Sequence, residues 1–154
     1  MRNELRVEQL RAMTLVGLAH HYAGEMGVDS GSQQWNEFMG IADRIPGHKD
    51  EVYYGVCMNG DTKGNMDYVC AVEVAEVSGV AEELTEVQVP AGKYAVYTHH
   101  GHISGIQESW KRLFGQALPD AGLKESGDLS FERYDSRFDP ATGEGDVEIW
   151  IPVD

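Results

Sequence analysis

The chain has 154 residues, of which 42% are hydrophobic and 25% charged, a composition that predicts one globular domain with its own core. Its 12 basic and 26 acidic side chains give a formal net charge of −14, which argues against direct binding of nucleic acid and only weakly favours a cationic ligand. No apolar run approaches the roughly 20 residues of a membrane helix, and the start of the chain is charged, so we expect a cytoplasmic protein without membrane contact.

The first half of the chain predicts a strand, a helix and a hairpin. Apolar residues with few breakers indicate the strand over Gln9–Ala19. Apolar residues at helical spacing indicate a helix over Gln33–Arg44, which a Pro-Gly pair ends. Two Val-, Tyr- and Cys-rich segments flank a Gly/Asn turn, which predicts a hairpin of Val52–Met58 and Met66–Val77.

The second half predicts the same order of elements. A strand over Glu86–Thr98 is interrupted at Pro90–Gly92, and a helix follows over Ser104–Ala117. A second hairpin of Asp128–Phe138 and Asp146–Val153 completes the half. We therefore expect a single α+β domain over 1–154 with two repeats, about 5–80 and 84–154. Since each unit buries one face of its sheet, the two should pack side by side around a shared groove, a natural place for a ligand.

Five short motifs in this order resemble one known family. They are Tyr54-Gly55-Val56, Val89-Pro90-Ala91-Gly92-Lys93-Tyr94-Ala95-Val96-Tyr97 with Gly101 after it, Trp110, Phe131-Glu132-Arg133-Tyr134, and Glu148-Ile149-Trp150-Ile151-Pro152-Val153. The family is the effector-binding domain of AraC-type and MerR-type multidrug transcription regulators and of stand-alone GyrI-like proteins, and the resemblance covers nearly the whole chain.

The resemblance implies a fold and a ligand class. In that family, two pseudo-symmetric strand-helix-strand-strand repeats form a curved antiparallel sheet with a ligand cleft on the pseudo-twofold axis, and the ligands are lipophilic organic cations. The first repeat begins within about ten residues of Met1, with no helix-turn-helix before it. We therefore expect a stand-alone module, bacterial by family, that reads DNA only through a partner.

Glu148 is the charged residue that we expect to meet the ligand. Its strand neighbours are apolar, so its carboxylate loses hydration and must be neutral, paired within the protein, or available to a cation. The resembling family also places a functional glutamate in this terminal strand. The alternative is that Glu148 lies on an exposed strand face or pairs with Arg133 on the adjacent strand.

Aromatic side chains are the other candidate ligand contacts, because aromatic faces attract cations. Trp110 lies on the apolar face of the second helix, and period-two alternation puts Trp150 on the same strand face as Glu148. The full set of aromatic candidates is Trp35, Phe38, Tyr54, Tyr68, Trp110 and Trp150. Ordinary core packing remains the alternative for each of them.

Neither a metal nor a cofactor is expected. His99 and His100 are adjacent and should point to opposite strand faces, which leaves too few ligands for a zinc site. Cys57 and Cys70 are expected to be reduced core residues roughly opposite each other on paired strands. The sequence contains no nucleophile elbow, phosphate loop or dinucleotide fingerprint.

Three functions remain open. The first is a binding module that sequesters a lipophilic, aromatic cationic drug or acts as an effector sensor for transcription regulation. The second is a hydrolase of strained, cyclopropane-bearing compounds, since some stand-alone members use cleft Trp and Glu residues; Trp110 would then position the substrate and Glu148 would act as general base. The third is an acidic protein-interaction module of the gyrase-inhibitor type. A homodimer or a regulator partner is compatible with each.

Overall fold

The computed structural model describes residues 5–22, 28–41, 45, 48–58, 66–74, 84–127, 129–139 and 141–154. The strands in this part of the chain are β1 (Leu5–Leu10), β2 (Met13–Tyr22), β3 (His48–Met58), β4 (Met66–Val74), β5 (Thr85–Val89), β6 (Gly92–His102), β7 (Ser130–Tyr134), β8 (Phe138–Asp139) and β9 (Glu144–Pro152). The helices are α1 (Val28–Met39), α2 (Ile106–Arg112) and α3 (Leu118–Asp120). A 3₁₀ turn at Ile103–Gly105 precedes α2, and a π-helical turn at Leu113–Ala117 joins α2 to α3.

All strands belong to one antiparallel sheet, which confirms the α+β class. The order is β1-β6-β9-β7-β3-β4-β2-β5, and β8 pairs with β9. Both predicted hairpins are present, as β3 with β4 and as β7 with β9, although β8 interrupts the second. The central pairing is β3 with β7, which joins the first half of the chain to the second.

The predicted opening strand over Gln9–Ala19 is wrong in its bounds, because the chain bends after Leu10 and forms β1 and β2. The predicted break at Pro90–Gly92 is confirmed and separates β5 from β6. In both places the earlier strand crosses to the other half of the sheet: β1 pairs with β6, and β5 pairs with β2. The two halves are therefore interlocked at the sheet edges.

The helices also differ from their predicted bounds. The first runs over Val28–Met39 instead of Gln33–Arg44, and residues 42–44 lie outside the described part. The second helical segment continues past its predicted end at Ala117 to Asp120, because Ala117 and Leu118 keep right-handed helical backbone angles ahead of Pro119. Gly122, with a φ of 71°, follows and ends the segment.

The sheet has two buried faces with different cover. We call the face against which α1 and the 106–120 segment pack the helix face; its clusters combine sheet residues with Phe38 of α1 and with Ile106, Leu113 and Leu118. The opposite face carries one cluster drawn from the strands themselves, which includes Tyr54, Phe131 and Trp150. Strand alternation assigns neighbouring residues to different faces, so each strand contributes to both. None of the described helices is both long enough and apolar enough to cross a membrane.

Candidate functional site

The predicted ligand contacts separate onto the two faces of the sheet. Tyr54 and Trp150 belong to the cluster of the opposite face, and Glu148 lies beside it, where its carboxylate accepts a hydrogen bond from Trp150 Nε1 at 3.0 Å. The predicted shared face of Glu148 and Trp150 is thereby confirmed. The other candidates lie on the helix face: Trp35, Phe38, Tyr68 and Trp110. One site cannot contain the whole predicted set.

Glu148 is buried, with 4% of its surface exposed, and it is paired within the protein. Its Oε2 accepts hydrogen bonds from Arg6 and Arg137, each at 2.9 Å, and Arg133 lies 3.6 Å from Oε1. The anticipated pairing with Arg133 is thus present, but Arg6 and Arg137 are the closer partners. Three guanidinium groups compensate this carboxylate.

The pKa of Glu148 reflects this compensation. Burial by itself would raise the pKa, but hydrogen bonds from Arg6, Trp150 and Arg137 outweigh burial and lower it below the ordinary value of 4.5. The carboxylate is therefore ionised at neutral pH. It lines an open depression of about 390 Å³ whose wall carries Arg6, Arg11 and Arg133.

A second buried carboxylate, Glu132, lies on the helix face at the centre of the sheet. It is 6% exposed and sits in β7, directly paired with Gly55 of β3. Its Oε1 accepts hydrogen bonds from the hydroxyls of Tyr68 at 2.8 Å and Tyr134 at 2.7 Å. Its Oε2 accepts from the indole N–H of Trp110 at 2.9 Å. We call these four residues the Glu132 cluster.

Within the described part of the chain, the hydrogen-bond donors to Glu132 are electrically neutral. No Lys, Arg or His side chain of the described residues forms an ion pair with it, in contrast to the three arginines at Glu148. Burial raises the pKa of Tyr68 and of Tyr134 well above the ordinary value of 10.0, and the nearby Glu132 charge raises both further. The phenols therefore remain protonated donors.

Gly55 creates the space in which the Glu132 cluster assembles. A Cβ at this position would lie 2.1 Å from Tyr68 Oη and 3.0 Å from Glu132 Oε1. Such a close approach requires glycine on sterics alone. The Tyr54-Gly55-Val56 motif therefore contributes to the site through its missing side chain.

Aromatic rings enclose the Glu132 cluster on its helix side. The Trp35 indole N–H donates to Tyr68 Oη at 3.1 Å, and the Trp35 ring makes an edge contact with Tyr134 at a centroid distance of 5.2 Å. Trp110 stacks on Phe114, whose side chain is 40% exposed. Trp35 and Trp110 are both only partly buried, so the two indoles are the solvent-facing members of the arrangement.

Sequence reasoning did not identify Glu132, Tyr134 or Gly55 as site residues. The signal was present, since Phe131-Glu132-Arg133-Tyr134 is one of the family motifs, and alternation puts Glu132 and Tyr134 on one face. Because Arg133 lies between Glu132 and Tyr134, the segment has the pattern that is typical of an ordinary amphipathic strand. The predicted roles of Tyr68, Trp110 and Trp35 remain compatible with this cluster, whereas Phe38 is fully buried core beside it.

The exposure of His99 and His100 and the strand positions of Cys57 and Cys70 can be compared with their predicted placement. His99 is buried and His100 is exposed, which confirms that they point to opposite faces. Cys57 pairs with Tyr68 and Cys70 with Gly55, so the two free thiols are offset along their strands instead of directly opposed. Among the described residues, no group of three or more His, Cys, Asp or Glu side chains could hold a metal ion.

Comparisons with known proteins identify the family of the chain and its fold. The profile of a family described as "GyrI-like small molecule binding domain" matches residues 3–154. The transcriptional regulator BrlR of Pseudomonas aeruginosa is 35% identical over 150 residues, which are 96% of this chain and 54% of BrlR. The chain thus spans about half the length of that relative.

Two solved structures share the fold at low sequence identity. SAV2435 bound to tetraphenylphosphonium superposes with a TM-score of 0.74 at 20% identity, covering 98% of this chain and 94% of the other. A hydrolase encoded by lin2189 from Listeria innocua superposes with a TM-score of 0.60 at 13% identity, covering 98% and 92%.

Proposed function

Since this chain belongs to the GyrI-like small-molecule-binding family, we propose that it binds a bulky, lipophilic aromatic cation beside Glu132. The observation that carries the proposal is a buried carboxylate with neutral hydrogen-bond donors and no cationic partner among the described residues. The related fold of SAV2435, bound to the aromatic cation tetraphenylphosphonium, supports the same ligand chemistry. Glu132 thereby replaces Glu148 as the proposed ligand carboxylate.

The charge of Glu132 provides the attraction. At an effective dielectric constant of ~20, a cation ~4 Å away gains roughly 4 kcal/mol of Coulomb energy, before the cost of desolvating the cation. Glu148 offers no comparable gain, because a ligand cation there would have to compete with Arg6, Arg133 and Arg137. A low-dielectric surrounding at Glu132 strengthens the interaction further.

The hydrogen bonds of Glu132 select the kind of cation. Three donors already occupy its two oxygens, so a primary ammonium or guanidinium group would find few acceptors for its own N–H groups. A quaternary or delocalised cation requires none. The faces of Trp35 and Trp110 can add ~0.5–2 kcal/mol each through cation–π contact. The partly buried indoles would have to move aside to admit such a ligand.

Paired residues in corresponding strands support the proposal that the chain consists of two copies of one unit, with Glu132 where the two copies meet. Two His–Asp side-chain pairs, each at 2.7 Å and each 46 residues apart, occupy corresponding strands, namely His21–Asp67 on β2 and β4 and His100–Asp146 on β6 and β9. Gly55 and Glu132 are paired with each other in the central strands. In a two-copy arrangement they are equivalent positions on the pseudo-twofold axis, so one glycine and one glutamate share the axis.

The relative BrlR is a transcriptional regulator, which supports a role of this chain as an effector sensor. Sequestration of the ligand is the simpler role for a module that acts by itself. Both roles require the same first step, occupation of the Glu132 cluster.

A calorimetric titration with a matched pair of ligands tests the proposal. Tetraphenylphosphonium carries the charge, and triphenylphosphine oxide offers similar aromatic rings without it. We expect saturable binding of the cation and at least tenfold weaker binding of the neutral compound, which corresponds to about 1.4 kcal/mol. Equal affinity for both compounds, or no binding of the cation, would refute the proposal.

A second candidate function is hydrolysis, favoured by the 2.9 Å hydrogen bond from Trp110 to Glu132. This contact supplies the Trp–Glu pair of the hydrolase hypothesis with Glu132 in place of Glu148, whose Oε2 is occupied by guanidinium groups. The hydrolase neighbour of the same fold is consistent with it. Incubation with cyclopropane-bearing electrophiles in ¹⁸O-water should yield labelled product that Glu132→Gln loses; unlabelled, unchanged compound would reject turnover for those substrates.

A further inference from the structure

We propose that α1 and α2 each carry a hydrogen-bonded polar anchor immediately before a tryptophan, and that these anchors position the two indoles at the Glu132 cluster. The anchors are Gln34 on α1 and the Ser109–His99 pair between α2 and β6. The inference rests on the proposed function for its effect on ligand affinity. Its structural part, the placement of the indoles, can be measured without any ligand.

Gln34 ties α1 to two strands. It is 1% exposed, and its side-chain amide donates to the backbone carbonyls of Leu18 at 2.9 Å and Tyr68 at 2.8 Å, while its Oε1 accepts from Tyr22 Oη at 2.6 Å. A buried amide with all of these bonds made fixes the helix along β2 and β4. The next residue, Trp35, donates to the Tyr68 hydroxyl, which in turn donates to Glu132.

His99 and Ser109 form the corresponding anchor on the second helix. His99 is 5% exposed, its Nε2 lies 2.9 Å from the backbone carbonyl of His102, and its Nδ1 lies 2.7 Å from Ser109 Oγ. Because a carbonyl only accepts, Nε2 carries the hydrogen of that bond, and Nδ1 forms the hydrogen bond with the serine hydroxyl. The next residue, Trp110, donates directly to Glu132.

Polar anchors are suited to this task because apolar packing is not directional. Among the seven residues of α2 only Ile106 is buried, so apolar packing of α2 itself on the sheet is slight. A hydrogen bond weakens steeply with distance and angle, so a bond from Ser109 to the sheet fixes both the rotation and the position of the helix. The adjacent indole N–H is thereby held within reach of Glu132.

The test compares three serine variants by the indole N–H signals in ¹H–¹⁵N NMR spectra of the protein without ligand. The three tryptophans give three signals, which Trp→Phe variants assign. Ser109→Ala should shift the Trp110 signal and leave the Trp150 signal in place, whereas Ser109→Thr, which keeps the hydroxyl, should restore it. Ser104→Ala is the matched control, because it removes an exposed serine–histidine hydrogen bond. An unmoved Trp110 signal in Ser109→Ala would overturn the inference.

Ligand affinity provides the second readout. Loss of one hydrogen bond predicts a rise in the Kd for tetraphenylphosphonium of about three- to tenfold in Ser109→Ala but not in Ser104→Ala. Gln34→Met should do the same through Trp35; if that variant does not fold, the serine pair decides. If the unchanged protein does not bind the cation, the proposed function is wrong, and the indole N–H signals still test whether the anchors position the indoles. If the unchanged protein binds and Ser109→Ala binds with equal affinity, only the positioning role of the anchors is wrong.

Discussion

Two buried glutamates on neighbouring strands of this protein differ in what compensates their charge. Glu148 of β9 lies on the face opposite the helix face and forms ion pairs with Arg6, Arg133 and Arg137. Glu132 of β7 faces the helices and meets two phenols and an indole. Burial alone therefore does not identify a ligand carboxylate. The arginine contacts indicate that Glu148 stabilises the fold, and Glu132 is the carboxylate that we propose for the cation.

The largest expected effect comes from removing the Glu132 charge. Glu132→Gln keeps the size of the side chain, but it loses the attraction of a buried carboxylate. If desolvation cancels about half of the roughly 4 kcal/mol of Coulomb energy, the Kd for tetraphenylphosphonium should rise by about 30-fold. Calorimetry with Glu148→Gln as the matched variant measures this effect. A change below twofold in Glu132→Gln would remove Glu132 from the site.

The reverse pattern is expected for Glu148→Gln. Breaking a buried ion pair costs ~3–5 kcal/mol, but the arginine partners here are 29–44% exposed, so about 1–3 kcal/mol of unfolding free energy is the expected loss. Urea denaturation measures that loss, while the Kd for the cation should stay within about twofold. If affinity falls and stability does not, the roles of the two glutamates are exchanged.

A methyl group at Gly55 should damage the Glu132 cluster without touching a charge. In Gly55→Ala the new Cβ would press on the Tyr68 hydroxyl, so we expect a stability loss of ~1–3 kcal/mol and weaker cation binding. Gly115→Ala is the control, because nothing lies within 4 Å of its Cβ position and alanine favours helix. Equal stability and affinity in the two variants would show that Gly55 is not needed for the cluster.

The smallest effect is a pH dependence that belongs to Glu148. Because its folded-state pKa is lowered, its contribution to stability is complete above the unfolded pKa, near 4.5, and is lost as the pH falls through the folded value. The difference in unfolding free energy between the unchanged protein and Glu148→Gln should therefore shrink below pH ~4.5. A difference that stays constant from pH 7 to pH 3 would contradict the ion-pair account.

Much of the fold could be predicted from local patterns. Alternating residues and a Gly/Asn turn indicate the β3–β4 hairpin, and the break between β5 and β6 is marked by Pro90. The break between β1 and β2 has no such mark, since Arg11 and Ala12 are neither turn formers nor helix breakers. The bend arises because β1 pairs with β6, a contact between residues far apart in sequence.

The distinction between the two glutamates also lay beyond local patterns. Glu148 lies between two apolar neighbours in its strand, whereas Glu132 lies between Phe131 and Arg133, so the argument about lost hydration favoured Glu148. What separates them is Arg6, a residue 142 positions from Glu148, together with the register that brings β1 near β9. The aromatic candidates Trp35, Tyr68 and Trp110 could be identified from their chemistry, but the strand face that unites them with Glu132 required the sheet.

A crystal structure of the protein with tetraphenylphosphonium would show which glutamate lies beside the cation. We expect the phosphorus atom on the helix face, within about 6 Å of the Glu132 carboxylate, with Trp35 or Trp110 displaced to admit the rings. The arginine contacts of Glu148 should remain as they are. A cation bound on the other face, beside Glu148 with its arginines moved away, would show that Glu148 and not Glu132 is the ligand carboxylate.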